Sequence, residues 1–247
     1  MRTLPLVLCL VLASGCATVS VPAAAQDAVN ARHHGQTVEL RQSMFYGDLY
    51  DENELWLLSP YPFAETYDLV DRDGAPIHPQ GQRGIFPAGA AFVVERVEFT
   101  SPLRMITSPR YNPWVYLTPA PGTLAPTGRR AFILLLPMDL TSEAAVEKAL
   151  AELTAPAGAV TRWLAARRPT VRVAIENKDV LPGMTLEELT AAVGPPLRFF
   201  SEPTAGGGRA TVAWYPSREI WLVDGAVTEV RPARAATEPA SSTRPAP

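Results

Sequence analysis

From Val38 to Pro137 the apolar residues fall in short runs or alternate with polar ones, and Gly and Pro interrupt them. That pattern predicts strands and turns. Leu55-Trp56-Leu57-Leu58 is an apolar run closed by Ser59-Pro60. Thr66 to Val70 leads into Asp71-Arg72-Asp73-Gly74, a turn sequence in which Gly supplies a positive φ. Ala91 to Phe99 predicts a longer strand with Val93, Glu95, Val97 and Phe99 on one face; Trp114–Leu117 and Ala131–Leu136 predict two more. Together they suggest a small, curled antiparallel sheet.

After Pro137 the period changes. Val146, Ala149, Leu150 and Leu153 stand at i, i+3, i+4 and i+7, with Glu143 in the first turn and Pro156 as the stop. Val160, Trp163 and Leu164 repeat the helical spacing up to Arg167-Arg168, whose charges suit a helix C-terminus. Val171, Val173 and Ile175 alternate and predict a strand. Thr185 is an N-cap, Glu188 completes a capping box, and Met184 can staple against Leu189. Leu186, Leu189 and Val193 mark the buried stripe of that helix. Gly194 suits the positive-φ position after it, and Pro195-Pro196 forbid continuation. Ala210–Tyr215 and Ile220–Val223 are strands, Asp224-Gly225 a hairpin turn, and Ala226–Val230 the returning strand. The predicted fold is α+β. An N-terminal β-rich domain (38–137) resembles an SH3-like barrel through the Pro87-Ala88-Gly89 approach to its long strand. A helical connector (138–169) follows, then a C-terminal domain (170–231) with one helix on a three-stranded antiparallel sheet. The Pro/Ala/Ser/Thr-rich residues 232–247 are expected to be a disordered tail.

Composition narrows the function. The chain has 247 residues, 47% of them hydrophobic, with 22 Lys+Arg against 25 Asp+Glu. It can bury a core, and it has no basic excess with which to meet phosphates, so no nucleic-acid partner is expected. At the N-terminus Arg2 precedes a short apolar run, and Ala13-Ser14-Gly15 leads into Cys16, which is secretory signal architecture. Two other outcomes stay open: cleavage after Ala23-Ala24-Ala25, giving a soluble periplasmic protein, or retention of Thr3 to Ala25 as an uncleaved span. The only cysteines are Cys9, inside the apolar run, and Cys16. Loss of residues 1–15 as a signal peptide would leave no disulfide, thiolate metal site or thiol nucleophile. Residues 16–37 show no apolar period and are expected to be a flexible tether.

Candidate chemistry is sparse. His33 and His34 lie in the tether and His78 in a turn; no third fixed ligand accompanies them, and no Gly-x-Ser-x-Gly elbow exists. Asp71-Arg72-Asp73-Gly74 lacks the later acidic positions of a calcium loop. Gly206-Gly207-Gly208 precedes a strand, where no helix N-terminus is available for a phosphate. The five tryptophans read as core or sheet-face residues. No enzymatic activity, cofactor or metal is expected.

Two stretches carry resemblances. Leu12-Ala13-Ser14-Gly15-Cys16 resembles a bacterial lipobox. That implies diacylation of Cys16 (the palmitate-type modification of lipoproteins), a new N-terminus there and membrane attachment through the lipid. Ala17, not Asp, follows it, which by resemblance to the Gram-negative sorting pattern points to the outer membrane. Gly183-Met184-Thr185, Leu189, Val193-Gly194-Pro195, Trp214-Tyr215 and Leu222 to Val227, with Asp224-Gly225 at its centre, resemble the BamE-like (SmpA/OmlA) domain of bacterial envelope lipoproteins. The resemblance spans about 50 residues, from Leu181 to Val230. Two departures accompany it: the helix expected before Gly183 is reduced to about one turn at Asn177–Leu181, and a β-rich region precedes the domain. It implies a lipid-anchored periplasmic scaffold or binding module with envelope proteins as partners, in outer-membrane protein assembly. The alternative is a cell-wall or small-ligand binder using the SH3-like barrel, with exposed aromatics Tyr111, Trp114 and Tyr116 lining a groove.

Overall fold

The computed structural model of the protein describes residues 21–50, 55–66, 69, 77–79, 81–100, 111–125, 131–204 and 206–234. Among these, eight strands form one mixed sheet: β1 (Thr37–Leu40), β2 (Met44–Tyr50), β3 (Leu55–Ser59), β4 (Gln82–Phe86), β5 (Ala91–Glu98), β6 (Trp114–Pro119), β7 (Ala131–Leu135) and β8 (Thr154–Pro156). Their order is β4-β2-β3-β7-β6-β5-β1-β8, and only β3 and β7 run parallel. These two central strands are almost wholly buried, because both faces are covered. One face packs Trp56, Leu58, Phe132 and Leu134 into the main core; the other packs Leu55, Leu57 and Ile133 against Phe63 and Leu69.

The sheet curls without closing. Phe86 on β4 and Phe92 on β5 touch with ring centroids 5.1 Å apart, although five strand positions separate them in the sheet. Among the described residues no ladder joins β4 to β5, so where an SH3-like barrel was expected the described sheet is open and strongly coiled. The face expected for the long strand also changes midway. A register shift between Val94 and Arg96 lets Phe92, Val94 and Val97 enter the same core, where strict alternation would have separated Val97 from the other two.

The second sheet is antiparallel, in the order β12-β11-β10-β9, built from β9 (Arg198–Pro203), β10 (Arg209–Trp214), β11 (Arg218–Val223) and β12 (Ala226–Pro232). It therefore has four strands where three were expected. β9 is exposed along nearly its whole length, so its sequence carries no burial alternation. β12 continues to Pro232, and Arg234 beyond it bonds Glu219 and Glu202, so residues 232–234, expected in the tail, belong to the second sheet's surroundings; residues 235–247 lie outside the described residues.

Among the described residues five α-helices complete the fold: α1 (Ala23–His33), α2 (Glu143–Leu153), α3 (Ala159–Ala165), α4 (Pro169–Asn177) and α5 (Leu186–Val193). α2 and α3 have the apolar spacing read from the sequence, and Ser142 caps α2 through Ala145 N. The connector is not a separate unit. α2 joins the core of the first sheet, α3 joins the core of the second, and β8 between them pairs with β1.

Two segments differ from expectation. The tether 16–37 contains α1, an ordered helix. Its Val29 is buried, and the Asn30 amide spans Val97, donating to its carbonyl at 2.9 Å and accepting from its N–H at 2.8 Å. Arg32 and His33 pair with Glu143 and Glu147 on α2. The expected strand at Val171-Val173-Ile175 is α4: Val171, Ala174 and Ile175 form the buried i, i+3, i+4 triad, and Val173 is 53% exposed. Pro169 at the first helical position, with φ pre-set, opens it. The helix before Gly183 is therefore present over two turns.

Candidate functional site

The two sheets with their helices form two lobes, and the most elaborate polar contacts join them. Arg41, Gln42 and Ser43 link β1 to β2; Arg41 bonds back to Leu153 and Thr154 of its own lobe, and Ser43 reaches the second lobe. Ser43 N donates to Ala191 O at 2.8 Å, and Ser43 Oγ donates to Ile175 O at 2.6 Å while accepting from Ala88 N at 2.9 Å. Lys178, the left-handed residue that ends α4, is 8% exposed; its Nζ donates to Ser43 O at 2.5 Å and Ala192 O at 3.0 Å, with the Phe45 ring 4.9 Å away. Burial, with Arg218 adding to it, pushes the Lys178 ammonium down to a pKa of about 7.

The residues singled out by the motif meet at the two ends of α5. At its start Thr185 and Glu188 form the capping box, with bonds of 3.2 and 2.9 Å, and Met184 and Leu189 are fully buried in one cluster. Gly183 N donates to Val227 O at 2.7 Å and Val227 N to Met184 O at 2.8 Å, which ties this start to the strand returning from Asp224-Gly225. Both turn residues have positive φ (50° and 78°), as a two-residue hairpin requires. At the other end Gly194 has φ 88°, its carbonyl accepts from Tyr215 Oη at 2.9 Å, and the Pro195 carbonyl accepts from Tyr61 Oη of the first lobe at 2.6 Å. These contacts are architectural: they fix α5 on the second sheet and on the opposite lobe.

Beside this seam lies a cleft of about 570 Å³ between the β1–β2 connection, β8, α3 and the exposed side of α5. Gln42, Ala155, Val160 and Ala191 make its buried floor. Trp163 and the 38% exposed Leu186 form walls, and Arg41, Glu152 and Glu187 stand at the rim. Two polar atoms of these lining residues are closed to solvent and have no hydrogen-bond partner: Oε1 of Gln42, a residue only 2% exposed, which lies towards Gly194 and Pro60, and Nε1 of Trp163. Arg167 stacks over the Trp163 ring at 4.3 Å and reaches Glu187 and Glu188 at 3.6 and 3.9 Å, so this wall is braced by an ion-pair network. The other flank is held by Glu39, whose carboxylate accepts from Val160 N (2.7 Å), Thr161 N (3.1 Å) and Thr161 Oγ1 (2.7 Å). Burial alone would raise its pKa; the Thr161 hydroxyl and the amides at the start of α3 outweigh that and hold it below the ordinary carboxylate range.

The remaining sequence candidates do not converge. His33 bonds Glu147, His34 Nδ1 lies 2.6 Å from Glu95 O, and His78 is exposed. Among the described residues no group of three or more His, Cys, Asp or Glu could hold a metal ion. Trp114 and Tyr116 are 1% and 5% exposed, so the aromatic groove expected on the β-rich domain is filled core. Cys16 and the turn at Asp71–Gly74 lie outside the described residues. Among the described residues no helix is long and apolar enough to cross a membrane. Gln42, Ser43 and Lys178 give no signal in the sequence, since each reads there as an ordinary surface residue. Comparison with models of known protein families, with curated proteins and with solved structures finds no match to this chain.

Proposed function

We propose that this protein is a lipid-anchored scaffold or binding module of the bacterial envelope, attached through Cys16 at the periplasmic face of the outer membrane. It acts through contacts with other envelope proteins, in outer-membrane protein assembly. The observation that carries this reading is the position of α1. The folded body is already packed at Val21, 4% exposed, so four residues, 17–20, lie between it and Cys16. The stretch from Cys16 to Val21, fully extended, reaches no more than roughly 18 Å. A lipid at Cys16 would thus hold both lobes against the bilayer and raise their effective concentration towards membrane partners without any further contact.

The C-terminal lobe supports the same reading. Two helices, α4 and α5, precede an antiparallel sheet, and the Gly-Met-Thr and Val-Gly-Pro segments sit at the ends of α5, consistent with the BamE-like resemblance. The experiment is in-membrane crosslinking with mass spectrometry, comparing wild type and Cys16→Ala. The expected result is recovery of barrel-assembly subunits from wild type only, with Cys16→Ala leaving the membrane fraction. Unchanged fractionation of Cys16→Ala would overturn the anchor, and crosslinks to peptidoglycan alone would overturn the partner class.

A further inference from the structure

We propose that two copies of this chain associate through β9, edge strand to edge strand, antiparallel about a twofold axis at Phe200. This goes beyond the reading of the protein as an anchored module and does not depend on Cys16. Among the described residues only β10 pairs with β9, which leaves it as an open edge of the second sheet. Its backbone is set for a second neighbour. Thr204 N donates to Gly208 O at 2.9 Å, and the β9–β10 register runs unbroken from Arg198 to Pro203. Alternation along an antiparallel ladder then turns the backbone of Arg198, Phe200 and Glu202 towards β10 and points the N–H and C=O of Phe199 and Ser201 away from it. The Ser201 carbonyl accepts from Arg209 Nη2 at 3.0 Å and keeps a second lone pair. Apolar exposure concentrates at the same place: Leu197, Phe199 and Phe200 are 43%, 49% and 38% exposed, a density of exposed large apolar side chains found nowhere else among the described residues.

Charge complementarity selects a second copy as the occupant. β9 reads Arg-Phe-Phe-Ser-Glu-Pro. With Phe200 opposite Phe200 of the second copy, Phe199 faces Ser201 and Arg198 faces Glu202, and the twofold repeats each pair. The outward groups of Phe199 and Ser201 then bond each other across the edge. Phe200 and the Arg198–Glu202 pairs fall at non-hydrogen-bonded positions, where opposed side chains approach most closely. Both charges have capacity for the contact. Arg198 lies over the Trp214 ring at 4.3 Å and the Phe200 ring at 5.1 Å, and among the described residues it meets no carboxylate. Glu202 Oε1 takes Arg234 at 3.2 Å, but Glu219 holds that guanidinium more closely, at 2.8 Å. Centring the pair on Ser201 instead would set Phe200 against Glu202 and Phe199 against Pro203, which has no N–H to give. Two other edges are closed or satisfied. On β12, Glu229 and Arg231 pair with each other at 2.5 Å; on β8, Pro156 has no N–H and the Thr154 carbonyl accepts from Arg41 Nε at 2.9 Å. An edge of 6 residues buries less than a permanent dimer needs, so the association is weak and reversible.

The test uses the full chain carrying Cys9→Ser and Cys16→Ser, which removes both thiols, and reads self-association by sedimentation equilibrium over roughly 0.01–1 mM. The expected result is a reversible monomer–dimer equilibrium. Arg198→Glu and Glu202→Arg each set like charges against each other in both symmetric pairs and are expected to weaken the dimer about tenfold. Combined in one chain they exchange the charges, and the dimer is expected to return to within about threefold of the parent. Disulfide trapping reads the register: Phe200→Cys, on the axis, is expected to give an oxidised dimer, and Val230→Cys, on the opposite edge, is not. Near-UV circular dichroism checks that each variant folds, and the charge reversals decide the matter if loss of the Phe200 ring prevents trapping. A monomer throughout the range, a dimer indifferent to both single reversals, a double variant as weak as the single ones, or trapping through Val230→Cys in place of Phe200→Cys would each overturn the proposal. With both cysteines replaced, the result is separable from the fate of the Cys16 anchor, which fractionation reads.

Discussion

Lys178 Nζ lies 2.5 Å from the main-chain oxygen of Ser43, so a residue ending a helix of one lobe donates into the backbone of the other. Ala192 O, at 3.0 Å, takes a second donor. A neutral amine has two N–H groups and satisfies both carbonyls; the ammonium adds a third N–H, with the Phe45 ring 4.9 Å from the nitrogen. That arrangement tolerates the uncharged form, which is why burial displaces its titration so far.

Stability should therefore depend on pH in an unusual window. The folded-state pKa is about 7, against 10.5 for the ordinary side chain. Between these values the unfolded chain holds a proton that the native protein does not, so this site makes stability rise with pH across the window; below it both states are protonated and the full burial cost is present. Urea unfolding at about pH 7.5 and about pH 9.5 should show wild type gaining stability relative to Lys178→Met, in which the titration is gone. A constant difference between the two proteins would show that Lys178 keeps its charge in the seam.

Glu39 predicts the opposite sign. Its carboxylate closes the start of α3 from the neighbouring β1, and its folded pKa is depressed. Its contribution is present above the ordinary carboxylate pKa and is lost as pH falls through the folded value. Glu39→Ala should cost about 2–4 kcal/mol at neutral pH by removing charge-assisted bonds to the helix start. The gap to wild type should narrow in acid. Denaturant midpoints at several pH values check both statements.

These contacts mark where the sequence was legible and where it was not. Strands β3 and β7 and helices α2 and α5 were readable because burial and capping are local: Leu55 to Leu58 are apolar throughout, and Thr185 and Glu188 cap within four residues. α4 was misread because Val171, Val173 and Ile175 alternate, while the deciding residue was the small Ala174. α1 was missed because it buries only Val29 within its own span and owes its order to Asn30, Arg32 and His33 meeting residues 67 to 115 positions away. The cleft was invisible for the same reason. Gln42, Trp163 and Leu186 come from three elements, and only the docking of the two lobes assembles them.

α1 makes a prediction of its own. β1 pairs with β5 only from Ala91 to Val93; farther along, Gly35 N and Gln36 O bond Val94, and the Asn30 side chain bonds Val97. The segment that leads from the proposed anchor thus covers an otherwise open strand edge. Asn30→Ala should cost about 1–3 kcal/mol, because it leaves both polar groups of Val97 without their partner. Hydrogen exchange should localise the loss, with faster exchange at Val97 and in α1 and little change in the second sheet. Uniform acceleration across both lobes would instead mean that α1 unfolds only with the whole protein.

Gly194 and Gly225 separate backbone strain from lobe packing. Both have positive φ, 88° and 78°. A Cβ at Gly225 would meet nothing within 4 Å, whereas at Gly194 it would lie 2.8 Å from the Pro60 Cβ across the seam. With ψ at 172°, Gly194 also occupies a region that is nearly exclusive to glycine. Gly225→Ala should therefore cost only the conformational term, about 1 kcal/mol. Gly194→Ala adds a clash that either pushes the lobes apart or displaces the start of the Pro195-Pro196 segment, for a total of about 2–5 kcal/mol. The bond from Tyr61 Oη to Pro195 O lies in the path of that displacement. Tyr61→Phe should then cost less in the Gly194→Ala background than in wild type, a coupling that a double-mutant cycle reads directly. Additive costs would mean that the seam absorbs the methyl group without moving.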